Sequence, residues 1–117
     1  MKTLKSKTTN SPKYKFNEGE LIDELRRYID ATYGNGHYSS DKFQATEFIV
    51  DGGHGIGFCI GNILKYAQRY GKKGSIVDAR NDLLKVLHYA IIALHVHDEE
   101  HVASDVFVED YPQDPGF

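Results

Sequence analysis

Apolar residues recur every three or four positions along most of the chain, which is the spacing that gives a helix one apolar face. The pattern predicts an all-α protein, a small bundle of about four helices with a glycine-rich loop before the third and flexible termini. The longest helix is expected at Ile76–His97, where Ser75 can cap the first turn. The others are predicted at Asn17–Thr32, at Asp41–Val50, and from the glycines to Arg69.

Charge divides the chain into three parts. Residues 1–16 hold five lysines and no acid, and residues 98–117 hold seven acids and neither Lys nor Arg. These segments are predicted to be a flexible basic arm and an acidic tail on either side of a helical domain at 17–97. The net charge of −3 also conceals a basic region at Gly61–Lys85, where an anionic ligand would be attracted.

The composition is that of an ordinary globular domain, with 40% hydrophobic and 26% charged residues in a chain of 117. A core this small is expected to gain stability from homo-oligomerisation. No apolar run reaches the roughly 18 residues of a membrane span. The single Cys59 cannot form an internal disulfide and is predicted to be a small buried hydrophobic residue. We therefore expect a cytoplasmic protein with no membrane partner.

Four glycines within six residues open the central stretch of the chain, at Gly52, Gly53, Gly55 and Gly57. Glycine lets the backbone approach a ligand closely, and the helix that follows would offer free N–H groups and the positive end of its dipole, which favour phosphate. The stretch matches neither the Walker pattern nor the dinucleotide fingerprint. It predicts an anion site of another kind, with a tight turn beside solvated cations as the alternative.

The third helix is expected to have one polar and one apolar face. Asn62, Lys65 and Arg69 lie at offsets of 0, 3 and 7 residues and share a narrow stripe that can face a phosphate. The opposite face is predicted to pack against the rest of the protein. Its members are Ile60, Ile63, Leu64 and Ala67.

A short basic turn joins the third and fourth helices, so the two are expected to be antiparallel neighbours. The fourth helix carries Asp78, Asp82, Lys85 and Tyr89 along one edge. Antiparallel packing would bring Asp82 and Lys85 towards Asn62, Lys65 and Arg69. The sequence therefore predicts a mixed-charge site between the two helices.

Two large side chains, His37 and Tyr38, lie in a stretch rich in turn residues after the first helix. They are suited to stacking on a base and to hydrogen bonding with a ligand, or else to capping the core. No metal site is predicted. His97 and His101 have the spacing of a helical ligand pair, but no third ligand is apparent.

The order of the charged and aromatic residues follows a longer pattern, Gly-Phe-x-x-Gly-Asn-x-x-Lys-Tyr-x-x-Arg, then a basic turn, then Asp-Leu-x-Lys and an aromatic residue. In this chain the pattern runs through Gly57, Phe58, Gly61, Asn62, Lys65, Tyr66, Arg69, the turn Gly71-Lys72-Lys73, Asp82, Leu83, Lys85 and Tyr89. On these residues the chain resembles the SaV-like, or phage nucleotide kinase-like, family, over about residues 36–94.

The resemblance implies a nucleotide kinase like those of short-tailed coliphages, acting in the cytoplasm of the host cell. Such an enzyme transfers phosphate from a nucleoside triphosphate to a deoxynucleoside monophosphate without a Walker loop, in a large homo-oligomer, with Mg²⁺ entering alongside the nucleotide. Phosphoryl transfer requires alignment and charge neutralisation. The expected catalytic residues are Arg69, Lys65, His54 and Asp82, with His54 or Asp82 assisting proton movement. The expected substrate-binding residues are His37, Tyr38, Gly53, Gly55, Gly57, Asn62, Lys73, Lys85 and Tyr89.

Two other activities fit the same nucleotide-binding domain at 17–97. A non-catalytic protein that sequesters a host signal nucleotide would use the same cations and aromatics and release its ligand unchanged. An all-α nucleoside triphosphate pyrophosphohydrolase has a similar size, but it needs several inward acids around Mg²⁺, and the last two helices offer only Asp78 and Asp82. Nucleic acid is not expected as a partner, because a short lysine-rich arm is more typical of a solubilising tail.

Overall fold

The computed structural model describes residues 12–34 and 43–101, and within these ranges the protein is all-α, as predicted. Its elements are α1 (Glu18–Gly34), α2 (Phe43–Ile49), a π-helical turn (Val50–His54), α3 (Gly55–Arg69) and α4 (Ile76–Glu100). Because the π-helical turn joins α2 to α3, the described chain forms three helical segments and not four separate ones. The predictions for His37, Tyr38 and most of the two charged termini lie outside the described residues.

The glycine-rich stretch is not a loop, contrary to the prediction. It forms the π-helical turn, and Gly55 and Gly57 already belong to α3. Gly53 has φ 89° and ψ 11°, a conformation that is costly for a residue with a Cβ, and it makes the kink between the helices. Gly55 has a different role, because a Cβ there would lie 3.0 Å from Cγ1 of Val96 in α4. The glycines therefore allow a kink and a close crossing of two helices.

α3 and α4 form an antiparallel hairpin, as predicted, and this is the main packing contact of the described fold. The turn between them contains Gly71 at φ 76°, a left-handed conformation that favours glycine. Ser75 then begins α4 with a reciprocal capping box. Its hydroxyl accepts from the N–H of Asp78 at 3.2 Å, and the Asp78 carboxylate accepts from the N–H of Ser75 at 2.9 Å. The predicted start of the longest helix is confirmed.

α1 packs on a different side of α4. The guanidinium of Arg80 donates two hydrogen bonds to the carboxylate of Glu24, at 2.6 and 2.8 Å. The ring of Tyr28 meets His88 edge to face, with centroids 6.2 Å apart. Leu25, next to Glu24 in α1, is buried. α4 is therefore the central helix, with α3 on one side and α1 on another.

The packing of α3 is the reverse of the prediction. Arg69, from the polar stripe, is bonded to α4, whereas Ile60 and Leu64, from the apolar face, are 46% and 62% exposed. The buried apolar residues of the described chain are Leu25, Cys59 and Val96. A single copy of the chain therefore leaves many of its apolar side chains exposed to water.

No helix in the two described ranges has the length and apolar content of a membrane span.

The crossing of α3 and α4 can be tested with two glycines of the same helix. Gly55→Leu is expected to lower the free energy of unfolding by about 1–3 kcal/mol, because its side chain has no room beside Val96. At a protein concentration low enough to keep the chain monomeric, Gly57→Ala should raise that free energy by about 0.5–1 kcal/mol, because within one chain nothing lies within 4 Å of the Cβ position. Urea unfolding followed by circular dichroism measures both, and equal effects would contradict the crossing.

Candidate functional site

Three cationic side chains converge on the ring of Tyr66, near the end of α3. Nζ of Lys65 and Cζ of Arg69 each lie 4.9 Å from the ring centroid, and Nζ of Lys85, from α4, lies 5.1 Å from it. These distances are within the range of cation–π interactions, so the ring offsets part of the repulsion among the three charges. The predicted approach of Lys85 to Lys65 and Arg69 is present in the structure.

The guanidinium of Arg69 is held by a buried carboxylate. Nη2 of Arg69 donates to Oδ1 of Asp82 at 2.7 Å, and Nε donates to Oδ2 at 3.4 Å. Asp82 is 2% exposed, whereas the side chain of Arg69 is 37% exposed. The hydrogen bonds from Arg69 hold the pKa of Asp82 below its ordinary value, so this carboxylate is ionised at neutral pH. Asp82 therefore orients Arg69 and is a poor proton acceptor, contrary to the prediction.

The cations open on a cleft beside the turn between α3 and α4, with a volume of about 300 Å³. We call it the cation cleft; it is lined by Arg69, Lys73, Gly74, Asp78, Asn81, Asp82 and Lys85. Both acids in this lining have partners, since Asp82 pairs with Arg69 and Asp78 bonds to Ser75. The lining holds three cations against these two acids, so the cleft carries a net positive charge.

Tyr89 supports the cluster from within the fold. The ring of Tyr89 stacks on that of Tyr66, with centroids 6.1 Å apart and 12° between the planes. The ring of Phe58 meets the ring of Tyr89 edge to face, with centroids 5.9 Å apart. Nδ2 of Asn62 donates to the carbonyl of Phe58 at 2.9 Å, within α3. Tyr89 thus positions Tyr66, and Asn62 is bonded to its own helix. The substrate-binding role expected of these two residues stays a prediction.

The structure does not bring the glycines to the cations. α3 begins at Gly55 and ends at Arg69, and a helix of its 15 residues is about 22 Å long. Gly53 and Gly57 lie at the Gly55 end, as does His54 in the π-helical turn. The prediction that one phosphate contacts both the glycines and the cations is therefore wrong for a single chain. For the same reason, His54 lies too far along α3 to assist proton movement in the cation cleft of its own chain.

A larger cavity, with a volume of about 710 Å³, lies further along α4 and was not predicted. We call it the α1–α4 cavity; it is lined by Ile29, Tyr33, Thr46, Glu47, Val50, Asp51, His88, Ile91, Ile92 and His95. The sequence carried one signal of it, since His88, Ile92 and His95 share one side of a helix. Periodicity does not show, however, that α1 and α2 leave a gap above that side.

Cys59 is fully buried, and burial raises the pKa of its thiol, which disfavours the reactive thiolate. The prediction that it is a small buried hydrophobic residue is confirmed. Within residues 12–34 and 43–101, no group of three or more His, Cys, Asp or Glu side chains is placed to hold a metal ion.

A family model matches most of the chain. It is described as a protein of unknown function, DUF3310, and it matches residues 9–91. The match includes the whole cation cleft and nearly all residues of the α1–α4 cavity. No curated protein and no solved structure matches the chain significantly. The function has to be inferred from the geometry of the site itself.

Stability should fall in mild acid because of His88. Burial lowers the pKa of His88, so the unfolded chain takes up a proton near pH 6.5 that the folded chain does not bind until lower pH. The contribution of neutral His88 to stability is therefore complete above about pH 6.5 and declines as the pH falls towards its folded pKa. His88→Gln should reduce the proton uptake on unfolding by up to about one proton in this window. Urea unfolding at a series of pH values tests this, and an unchanged pH slope would contradict it.

Proposed function

We propose that the chain, which belongs to the DUF3310 family, is a phage-type nucleotide-handling protein that binds nucleotide phosphates in the cation cleft. The placement of Lys65, Arg69 and Lys85 around one ring carries this proposal. The three charges repel one another, and an anion at the mouth of the cleft would lower that repulsion. A phosphate fits because a guanidinium can donate to two of its oxygens while each ammonium acts as a point charge.

The ion pair with Asp82 fixes the position of the Arg69 guanidinium before a ligand binds. A guanidinium has five N–H donors, and Asp82 accepts from two of them. Because the side chain is already fixed in the free protein, less conformational entropy is lost when an anion binds. Lys73, from the turn, lines the same cleft and would contact a second phosphate group.

Within this role we propose a nucleoside monophosphate kinase first, on the strength of the resemblance described above. An oxygen of the acceptor monophosphate would attack the γ-phosphorus of a nucleoside triphosphate, the bond to the bridging oxygen would break, and two nucleoside diphosphates would leave. Such a transfer needs alignment and charge neutralisation, which Lys65, Arg69 and Lys85 would supply. The attacking phosphate is largely deprotonated at neutral pH, so the step needs no base from Asp82 or His54.

The bonding partners of Asp78 and Asp82 help to distinguish among the three candidate activities. Asp78 and Asp82 already have protein partners, so Mg²⁺ would be held mainly by the phosphates of the nucleotide, whose negative charge it would help to neutralise. A pyrophosphohydrolase, which needs several acids directed at the metal, is disfavoured for the same reason. A non-catalytic nucleotide-binding protein is the alternative, because it needs only the cations and rings. Either role would place the protein in the cytoplasm, where nucleotides are found.

We also propose that the chain works as a homo-oligomer, with the exposed apolar face of α3 between copies. Ile60 and Leu64 are exposed on this face, and nothing lies within 4 Å of a Cβ at Gly57, which leaves room for a second helix. The face is self-complementary. An antiparallel copy centred on position 62 would set Ile60 against Leu64 of the partner subunit, and Gly57 against Ala67 of the partner subunit. A second copy would therefore cover the apolar residues of this face with apolar residues of its own.

A labelled-phosphate assay separates the three activities. The purified protein is incubated with Mg²⁺, a γ-labelled nucleoside triphosphate and each deoxynucleoside monophosphate in turn. Labelled deoxynucleoside diphosphate is expected for a kinase. Released pyrophosphate would show a hydrolase, and tight binding without turnover would show a binding protein. A protein that neither binds nor converts any nucleotide would contradict the proposed function.

Lysine substitutions locate the phosphates without disturbing the buried acid. Lys65→Gln and Lys85→Gln are each expected to weaken nucleotide binding by about 10- to 100-fold, because each removes one charge-assisted contact. They are preferable to changes at Arg69, which would leave Asp82 buried without its partner. Lys72→Gln is the matched control, because Lys72, in the turn beside Lys73, neither lines the cleft nor lies over the ring of Tyr66. Isothermal titration calorimetry measures all three, and equal effects would contradict the site.

The oligomer is tested by its mass in solution. The wild-type chain is expected to run as an oligomer in size-exclusion chromatography with light scattering, and Leu64→Glu should shift the mass towards that of one chain. A charge at the centre of an apolar contact would be desolvated without a partner, which is costly. Ala31→Glu, on the exposed side of α1, adds the same charge and should leave the mass unchanged. A monomeric wild type, or an unaltered mass for Leu64→Glu, would contradict the assignment.

A further inference from the structure

One side of α4 runs through both the cation cleft and the α1–α4 cavity. Asn81, Lys85, His88, Ile92 and His95 follow one another at steps of four, three, four and three residues, so they lie in line along one side of the helix. The first two line the cation cleft, and the last three line the α1–α4 cavity. The two spaces therefore follow one another along the same side of α4.

The α1–α4 cavity has the lining expected of a site for a flat ring. Ile29, Ile91 and Ile92 supply apolar surface, and Tyr33 supplies an aromatic one. The ring of Tyr33 lies 6.4 Å from that of His88, centroid to centroid. The polar part of the lining consists of Thr46, Glu47, Asp51 and His95. An apolar pocket with a few polar groups is typical of small-molecule sites.

Acidic and basic side chains are separated between the two spaces. Glu47 and Asp51 are four residues apart in the segment formed by α2 and the π-helical turn, and both line the α1–α4 cavity. Carboxylates accept hydrogen bonds from ring N–H and amino groups, and they repel phosphate. The cations gather at the other end, around Tyr66. This distribution would orient a ligand that has an anionic end and a ring with N–H donors.

We infer that the α1–α4 cavity is the subsite for the heterocyclic base of the nucleotide whose phosphates bind in the cation cleft. The inference rests on the proposed function and adds to it the position of the base. Lys85 and Ile92 are seven residues apart, which is about 10 Å along the helix, a separation that an extended mononucleotide can bridge. Tyr33, His88 and Ile92 would hold the ring, and Glu47 would accept from its N–H groups.

The test compares a ligand with a base and a ligand without one. Isothermal titration calorimetry is performed with inorganic tripolyphosphate and with each of the four deoxynucleoside triphosphates. At least one nucleotide is expected to bind about tenfold more tightly than tripolyphosphate, the scale of stacking a base on an aromatic side chain. Tyr33→Ala should remove this advantage and leave the affinity for tripolyphosphate unchanged. Tyr14→Ala is the matched control, because Tyr14 and Tyr33 are 56% and 54% exposed and only Tyr33 lines the cavity.

The outcomes separate the two proposals. Failure of both tripolyphosphate and all four nucleotides to bind would overturn the proposed function. Tripolyphosphate that binds as tightly as every nucleotide would overturn the base subsite alone, as would a Tyr33→Ala variant that weakens both ligands equally. Glu47→Gln, at an exposed position, provides a second variant if Tyr33→Ala does not fold by circular dichroism. This variant should have a lower affinity for the nucleotide and an equal or higher affinity for tripolyphosphate. An unchanged nucleotide affinity in every variant that folds would overturn the subsite.

Discussion

The ion pair between Arg69 and Asp82 is the interaction on which the candidate site depends. It joins the last turn of α3 to the second turn of α4, and it is buried on the Asp82 side and open on the Arg69 side. A buried carboxylate is tolerated only with a partner, so Arg69 cannot leave Asp82 to meet a ligand. A ligand must therefore approach Arg69 where it stands. The same pair aligns the two helices so that Lys65 and Lys85 meet at Tyr66.

The orientation of α3 in the hairpin decides the surroundings of both its polar and its apolar residues. Its polar stripe is directed towards α4 by the ion pair, and its apolar stripe is left exposed at Ile60 and Leu64. A helix with an uncovered apolar stripe is more stable when another surface covers that stripe. The geometry that assembles the cation cleft thus also creates the surface available for self-association. The cation cleft and the proposed oligomer therefore depend on the same helix.

Local patterns were sufficient for the helices and for one half of the site. The start of α4 at Ser75 was predictable because a capping box involves residues three positions apart. The meeting of Arg69 with Asp82 and Lys85 was also predictable, because a short turn forces two helices to lie side by side. These features depend on residues close in sequence, so helical spacing and turn length determine them.

The sequence alone therefore determined the helices, the α3–α4 hairpin and the cation cluster, whereas tertiary structure decided what each face contacts. Spacing showed that Leu64 lies on an apolar face, but only the packing showed that this face is uncovered. The glycines had the composition of a ligand loop, and only the approach of Val96 to Gly55 showed a helix crossing. The α1–α4 cavity is likewise a gap between elements distant in sequence. Periodicity records which residues share a side of one helix, and the position of the neighbouring helices is not encoded in it.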